Sequence, residues 1–162
     1  MWLRALAAEV GTSHRMLLYH FGSYQGLIAA AVDEVEHRQR RHLQQLDASS
    51  DGAKAVPLDE LSHALWEHLA SDELRPLERL FFGLYARLLE QGREDQAARL
   101  VASWIEPVQA LLVAHGVPPD QAAAQARLGL AVTRGLLLDL LATGDRPGTD
   151  AAHRAYVDSL FR

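Results

Sequence analysis

Two Glu-x-x-His sequences are the residues whose type and spacing would suit metal chemistry. Glu34 with His37 and Glu60 with His63 each place a carboxylate and an imidazole one helical turn apart, which is the ligand spacing of di-iron four-helix bundles. Such a site would support oxidase chemistry, but its ligands must point into the bundle. A helical projection puts both pairs on the side opposite the apolar stripe of their helices. We therefore interpret them as surface residues and keep a di-iron oxidase as an alternative only.

The rest of the sequence carries no further catalytic motif. It has no glycine-rich phosphate loop, no Gly-x-Ser-x-Gly turn and no His-Glu-x-x-His sequence. The 162 residues include no cysteine, which excludes disulfides, thiol catalysis and thiolate metal sites. Four further histidines belong to no recognisable sequence motif and are expected to be solvated, namely His42, His68, His115 and His153. The sequence thus predicts a protein that is not an enzyme and needs no cofactor.

The elements that position these residues are all predicted to be helices. Apolar residues recur at helical spacing over about 24–46, 58–70, 74–90, 95–115, 120–142 and 150–161. No strand pattern or internal repeat accompanies them, and an apolar content of 49% is enough for a core. No apolar run reaches the length of about eighteen uncharged residues that a membrane span needs, and the first residues resemble no secretory leader. The sequence predicts an all-α cytoplasmic protein that does not span a membrane.

The front of the chain has the pattern of two short helices joined by a tight turn. Leu3, Leu6, Ala7 and Val10 mark one face of the first helix. A turn over residues 11–13 follows, and its last residue is a serine that can cap a second helix of about two turns. In that second helix we expect Met16, Leu17 and Phe21 to face inward. Such a pair lowers its second helix into the major groove of DNA.

The order of residues in this segment resembles the TetR family of one-component regulators. The resemblance depends on Gly11 and Ser13 in the turn, an aromatic-His-Phe cluster at residues 19–21, and Ser23 and Leu27 at the start of a long helix. Residues 130–145, LAVTRGLLLDLLATGD, also resemble the penultimate helix of that family. The resemblance implies a helix-turn-helix domain over residues 1–23 and an effector-binding and dimerisation domain over residues 24–162.

The sequence departs from the family pattern at several points. Family members have a further helix before these two, which this sequence does not show, so the DNA-binding domain is expected to be incomplete. Tyr24 stands where a basic residue is usual, and Leu18 stands where a phosphate-contacting tyrosine is usual. Because phosphate contacts supply most non-specific affinity, these changes would weaken DNA binding. An alternative is therefore a small-molecule-binding or heterodimerising protein that does not bind DNA.

The charge distribution has the sign expected for a DNA-binding front. The whole chain has a net charge of -5, but residues 1–46 carry +1 and the remainder carries -6. The resemblance implies a double-stranded DNA operator as partner and a repressor that an effector releases. The implied DNA contacts are Ser13, His14, Arg15, Met16, Tyr19, His20 and Tyr24, of which residues 14–16 would lie nearest the base edges.

A wide apolar arc on the predicted 74–90 helix is the pattern of a pocket wall. Residues 74, 82, 85 and 89 form this arc beside the main stripe, and Glu78 interrupts it. Because regulators that resemble this chain bind a small-molecule effector inside the helical body, the expected ligand contacts are Trp66, Glu78, Phe82, Tyr85, Trp104 and Arg134.

The predicted 120–142 helix is apolar on more than one face, so one subunit has too few helices to cover it. A second copy of the chain would cover it by packing helices 120–142 and 150–161 of both subunits into one bundle. Gly129 and Gly135 would permit close approach there. The sequence therefore predicts a homodimer.

Overall fold

The computed structural model describes residues 13–48 and 56–161, and these residues form seven α-helices. The helices are α1 (His14–Phe21), α2 (Tyr24–Ala48), α3 (Leu58–Leu69), α4 (Arg75–Glu90), α5 (Glu94–Ala114), α6 (Pro119–Thr143) and α7 (Arg146–Phe161). No strand occurs within the two described ranges. The predicted all-α fold is confirmed. The predicted helix at residues 3–10 and the turn at Gly11 and Thr12 lie outside the described residues.

The start of α7 lies four residues earlier than the sequence pattern predicted. We expected the helix from about residue 150, where the apolar residues at helical spacing begin to support it. Instead, the backbone N–H of Gly148 donates to Asp145 Oδ1 at 2.9 Å, so the aspartate caps the helix. Proline fits the first turn, where a backbone N–H has no partner within the helix. The helix thus begins at Arg146.

Two serine caps and one glycine fix the junction between α1 and α2. The backbone N–H of Met16 donates to Ser13 Oγ at 3.1 Å, and that of Gly26 donates to Ser23 Oγ at 3.0 Å. A Cβ atom at position 26 would overlap the carbonyl oxygen of Phe21. Glycine is therefore required at that position for α1 to turn back against α2. The predicted cap at Ser13 is confirmed.

Within the described residues, three clusters of buried apolar side chains hold the helices together. The first joins α2 to α4 and α5, the second joins α3 to α6, and the third joins α5 to the start of α6. Their members are, in that order, Ile28, Val32, Phe81, Leu84, Leu88 and Ala97; Trp66, Leu69, Ala70, Leu137 and Leu140; and Leu112, Ala122 and Ala126. The helix α7 packs against α3 and α6. Together these contacts surround a space between the helices.

One helix of the described residues has the length and composition of a membrane span. In α5 the most apolar window has a mean hydropathy of 1.3. Core helices of soluble proteins have the same length and composition, and α5 packs along α6 and buries Trp104 and Leu112. The helix is thus part of the bundle.

Candidate ligand cavity and helix-turn-helix surface

A cavity of about 130 Å³ lies among α2, α3, α4, α5, α6 and α7. Most of its wall is apolar, with leucine side chains from each of these helices except α4, together with Phe81, Val108 and Phe161. The polar part of the wall consists of Glu36, Gln39, Ser62, Glu78, Trp104, Gln125, Thr133, Arg134 and Tyr156. A concave, mostly apolar space with a few placed polar groups is the usual form of a small-molecule site.

Glu36 and its partners form one polar side of the cavity. The indole Nε1 of Trp104 donates a hydrogen bond to Glu36 Oε2. The guanidinium groups of Arg40 and Arg134 each lie 3.8 Å from the same oxygen. Burial raises the pKa of Glu36, and Arg134, Trp104 and Arg40 act against that rise. The charge of Glu36 is therefore compensated by two cations and a hydrogen-bond donor.

Arg134 is held in the wall by three groups at once. Besides Glu36, it donates from Nη2 to the backbone oxygen of Leu100 at 3.1 Å. Its Cζ lies 4.6 Å from the ring centroid of Phe81, within the range of a cation–π contact. Burial lowers the pKa of Arg134, and the nearby Glu36 opposes that effect. The side chain is thus fixed by the protein itself.

Glu78 is buried in the same cavity with much weaker support. Its side chain accepts one hydrogen bond from the described residues, from Gln39 Nε2 to Oε1 at 3.2 Å. Burial raises the pKa of Glu78 to about 7, against the hydrogen bond from Gln39, while the negative charge of Glu36 adds to the rise. Near neutral pH both protonation states of this carboxyl group are therefore populated.

Half of the predicted ligand contacts line this cavity. Glu78, Trp104 and Arg134 are in its wall, whereas Trp66, Phe82 and Tyr85 are not. Phe82 and Tyr85 pack beside Phe81, with ring centroids 5.2 and 6.1 Å from its own. These two aromatic residues lie on the same helix as Glu78 and Phe81, but they pack beside Phe81 and do not line the cavity.

Trp66 belongs to a separate junction between α3 and α7. Its Nε1 donates to Asp150 Oδ1 at 2.7 Å, and its ring stacks on that of His153 at 5.0 Å. Arg146 donates to the same aspartate and to Glu67, in both cases at 2.6 Å. The indole is therefore engaged in joining two helices, which explains its absence from the cavity wall.

The histidines expected in solvent are mostly at helix contacts. His153 is only 2% exposed, and its Nδ1 has no hydrogen-bond partner among the described residues. Burial lowers its pKa to about 4. The rings of His42 and His68 lie 4.2 Å apart, and His115 is half-buried 3.2 Å from Asp47. Their predicted solvation was wrong, because α2, α3 and α7 pack through polar as well as apolar faces.

The Glu-x-x-His pairs are placed largely as predicted. Glu34, His37 and Glu60 are exposed, and Glu34 forms an ion pair with Arg38 at 2.7 Å. His63 differs, because it is half-buried with its ring 5.4 Å from that of His153. No group of three potential metal ligands occurs within residues 13–48 and 56–161. The described pairs therefore do not assemble a two-metal site.

Sequence reasoning missed the two cavity residues on α2. Glu36 and Gln39 are buried and lie four and seven residues after Val32, on the apolar face of their helix. A carboxylate and an amide within an apolar stripe were the available signal. Tyr156 on α7 was also missed, and its hydroxyl oxygen would be 3.2 Å from a Cβ at Gly129. Gly129 thus serves packing between α6 and α7.

The second candidate site is the outer surface of α1. Ser13, Arg15, Met16, Tyr19 and His20 are all exposed, with Tyr19 at 80%. The side chains of His14 and Tyr24 are outside the described part of the structure. Met16 and Phe21, expected to face inward, are 44% and 38% exposed. Packing against α2 covers one face of α1 and leaves these side chains on another.

An apolar strip runs along the exposed side of α6. Leu128 and Leu138 are 48% and 52% exposed, and Ala131 and Gly135 are exposed between them. These four residues follow a spacing of three and four, so they share one face of the helix. They define a narrow, flat apolar surface, which we call the α6 strip.

Comparison with known proteins gives a match in structure only. No protein-family model and no curated protein matches the sequence. The structure is similar to the crystal structure of a TetR transcriptional regulator from Legionella pneumophila, with a TM-score of 0.70 at 16% identity over 99% of this chain and 86% of that chain. The chain has a TetR-like fold. This TetR-like architecture is what the resemblance at residues 11–27 implied.

Proposed function

We propose that this protein is a ligand-responsive, DNA-binding transcriptional regulator that acts as a repressor in the cytoplasm. In this proposal residues 1–23 belong to the DNA-binding domain, and residues 24–162 bind the effector and form the dimer. The TetR-like fold supports transcriptional regulation at the level of the fold. The observation that carries the rest is the position of α2 between the two candidate sites.

The helix α2 is part of both sites. It begins at Tyr24, three residues after the end of α1, and it supplies Glu36, Gln39 and Leu43 to the cavity wall. About 18 Å of continuous helix separates its first residue from Glu36. A ligand that favours one position of α2 therefore also favours one position of α1, which is the requirement for coupling between two sites.

DNA contact is assigned to the exposed face of α1. Arg15 and Met16 lie in the first turn of this capped helix, and Tyr19 and His20 follow one turn later. An arginine presented in this way suits the paired acceptors of guanine in the major groove. Ser13, Tyr19, His20 and Tyr24 are proposed to contact the phosphate backbone, with His14 beside Arg15 at the base edges.

Two copies of α1 can bind one DNA duplex together only in a dimer. The α6 strip is the proposed contact between the two subunits. Its small residues allow two copies of α6 to approach closely, with α7 of each subunit completing a four-helix bundle. We expect the wild-type chain to sediment as a dimer, and Leu138→Glu to sediment as a monomer because it places a charge in this contact. A dimer of unchanged stability in Leu138→Glu would place the subunit contact elsewhere.

The DNA-binding assignment is tested with Arg15→Ala. Duplexes enriched by the wild-type chain from a random-sequence pool should bind Arg15→Ala about 5- to 160-fold more weakly, as expected for loss of a base contact worth about 1–3 kcal/mol. The matched control is Arg87→Ala, because Arg87 is an exposed arginine on α4. Equal weakening in both variants, or no enrichment by the wild-type chain, would contradict the assignment.

A further inference from the structure

We propose that the cavity takes a small apolar amine, whose ammonium group pairs with the carboxylate of Glu78. This inference deepens the proposed function, since it names the chemical class of the effector. It concerns the binding step alone, so it is tested separately from any effect on DNA.

The incomplete pairing of Glu78 is the first reason. The residue is 7% exposed, and a buried carboxylate is costly unless charge and hydrogen bonds compensate it. Gln39 supplies one hydrogen bond to Oε1, and no donor among the described residues reaches Oε2. Arg75, one turn earlier on α4, is directed to Asp72 at 2.6 Å instead. One carboxylate oxygen is therefore left for a ligand.

The contrast with Glu36 decides the sign of the ligand charge. Glu36 already accepts a hydrogen bond from Trp104 and forms ion pairs with Arg40 and Arg134. Arg134, the cation that lines the cavity, is held by Glu36, a backbone oxygen and an aromatic ring. A ligand carboxylate would have to displace Glu36 from Arg134 and would then face two buried glutamates. An ammonium group instead meets Glu78, a buried carboxylate for which the described residues provide no ion pair within 4 Å.

The remaining wall sets the size and polarity of the rest of the molecule. A cavity of about 130 Å³ is close to the roughly 150 Å³ at which an apolar protein cavity holds benzene. Leu61, Leu65, Leu112 and Leu137 are among the side chains that surround this space. The ligand is thus a single ring or a short branched chain that carries one amine.

The pairing of an ammonium ligand with Glu78 makes the affinity for that ligand depend on pH. The groups that face Glu78 are Gln39 and Glu36 from α2 and Arg134 from α6, and burial dominates among their effects by raising its pKa to about 7. An ammonium ligand binds the ionised form, so below about pH 7 its binding must first remove a proton from Glu78. Its affinity then falls by about tenfold for each pH unit below that value.

The test uses three ligands of one size that differ in charge, namely benzylamine, benzyl alcohol and benzoate. Titration calorimetry on the full chain at pH 8 should show benzylamine binding at least about tenfold more tightly than benzyl alcohol, as expected for a charged hydrogen bond, and benzoate binding more weakly than both. At pH 6 benzylamine should bind about tenfold more weakly than at pH 8, whereas benzyl alcohol should be unchanged.

Glu78→Gln should lose both the preference for benzylamine and its pH dependence while keeping its affinity for benzyl alcohol. The control is Glu90→Gln, an exposed carboxylate at the end of the same helix, which should behave as wild type. Tighter binding of benzoate, benzylamine affinity independent of pH, or no binding of any of the three would overturn the proposal. Benzylamine binding without any change in DNA affinity would leave the proposal standing and contradict ligand-responsive regulation.

Discussion

The junction of α1 and α2 and the cavity use different stretches of the same helix, yet they are held by different kinds of contact. At the junction the hydrogen bonds are local, with Ser13 and Ser23 each capping the residue three positions later. Around the cavity, Gln39 reaches Glu78, and Trp104 reaches Glu36 from 68 residues away. The first region depends on neighbouring residues, and the second depends on the whole bundle.

This difference separates binding from stability. The exposed face of α1 makes few contacts within the described part of the chain, so its side chains remain available for an external partner. The cavity lies between six helices, so replacing residues that join helices across it, such as Trp104 and Glu36, changes the stability of the bundle. Substitutions on the exposed face of α1 are therefore expected to change binding to a partner, whereas substitutions within the helical bundle are expected to change its stability.

The largest contrast is expected between two aromatic residues. Trp66→Ala should lower the free energy of unfolding by about 3–5 kcal/mol, since it removes a large buried side chain and its hydrogen bond to Asp150. Tyr19→Ala should change it by less than about 0.5 kcal/mol, because an exposed side chain has little to lose. Urea denaturation followed by circular dichroism measures both values. Equal destabilisation by the two variants would contradict the division between the regions.

A smaller contrast concerns pH. Burial lowers the pKa of His153 to about 4, so the unfolded chain binds a proton at a higher pH than the folded chain does. This histidine therefore lowers stability as the pH falls from about 6.5 towards 4, by at most about 1.4 kcal/mol per pH unit. His153→Phe keeps a ring against Trp66 and removes the titration.

The stability difference between wild type and His153→Phe should therefore change with pH over that interval. The control is His37→Gln, because His37 is exposed and its replacement should leave the pH dependence as it is in wild type. Thermal unfolding from pH 4 to pH 7 provides the comparison. A wild-type curve parallel to that of His153→Phe would show that the imidazole titrates normally.

Local patterns in the sequence predicted the local structure well. Ser13 was identified as a cap, and the six helices after α1 lie close to their predicted ranges. Glu78 was expected within an apolar arc, because the spacing of residues along a single helix is enough to predict that position. The late start assigned to α7 was an error of the same local kind, since Asp145 was not considered as a cap.

Contacts between distant residues were the part that the sequence did not predict. Nothing in the pattern around Trp66 shows that Asp150 lies within hydrogen-bond distance of it. His153 was expected in solvent because its helix was read alone, without the face of α3 that covers it. The cavity wall likewise combines six helices, so only half of its predicted contacts were placed there. Packing between helices decides which polar residues meet.

The most direct test of the account is whether a molecule in the cavity changes the affinity of α1 for DNA. Fluorescence anisotropy should measure the dissociation constant for a selected duplex without benzylamine and with benzylamine at a concentration that saturates the cavity by calorimetry. The account predicts DNA binding weakened by about fivefold or more, the lower end of typical coupling between two sites. An unchanged dissociation constant with the cavity fully occupied would contradict it.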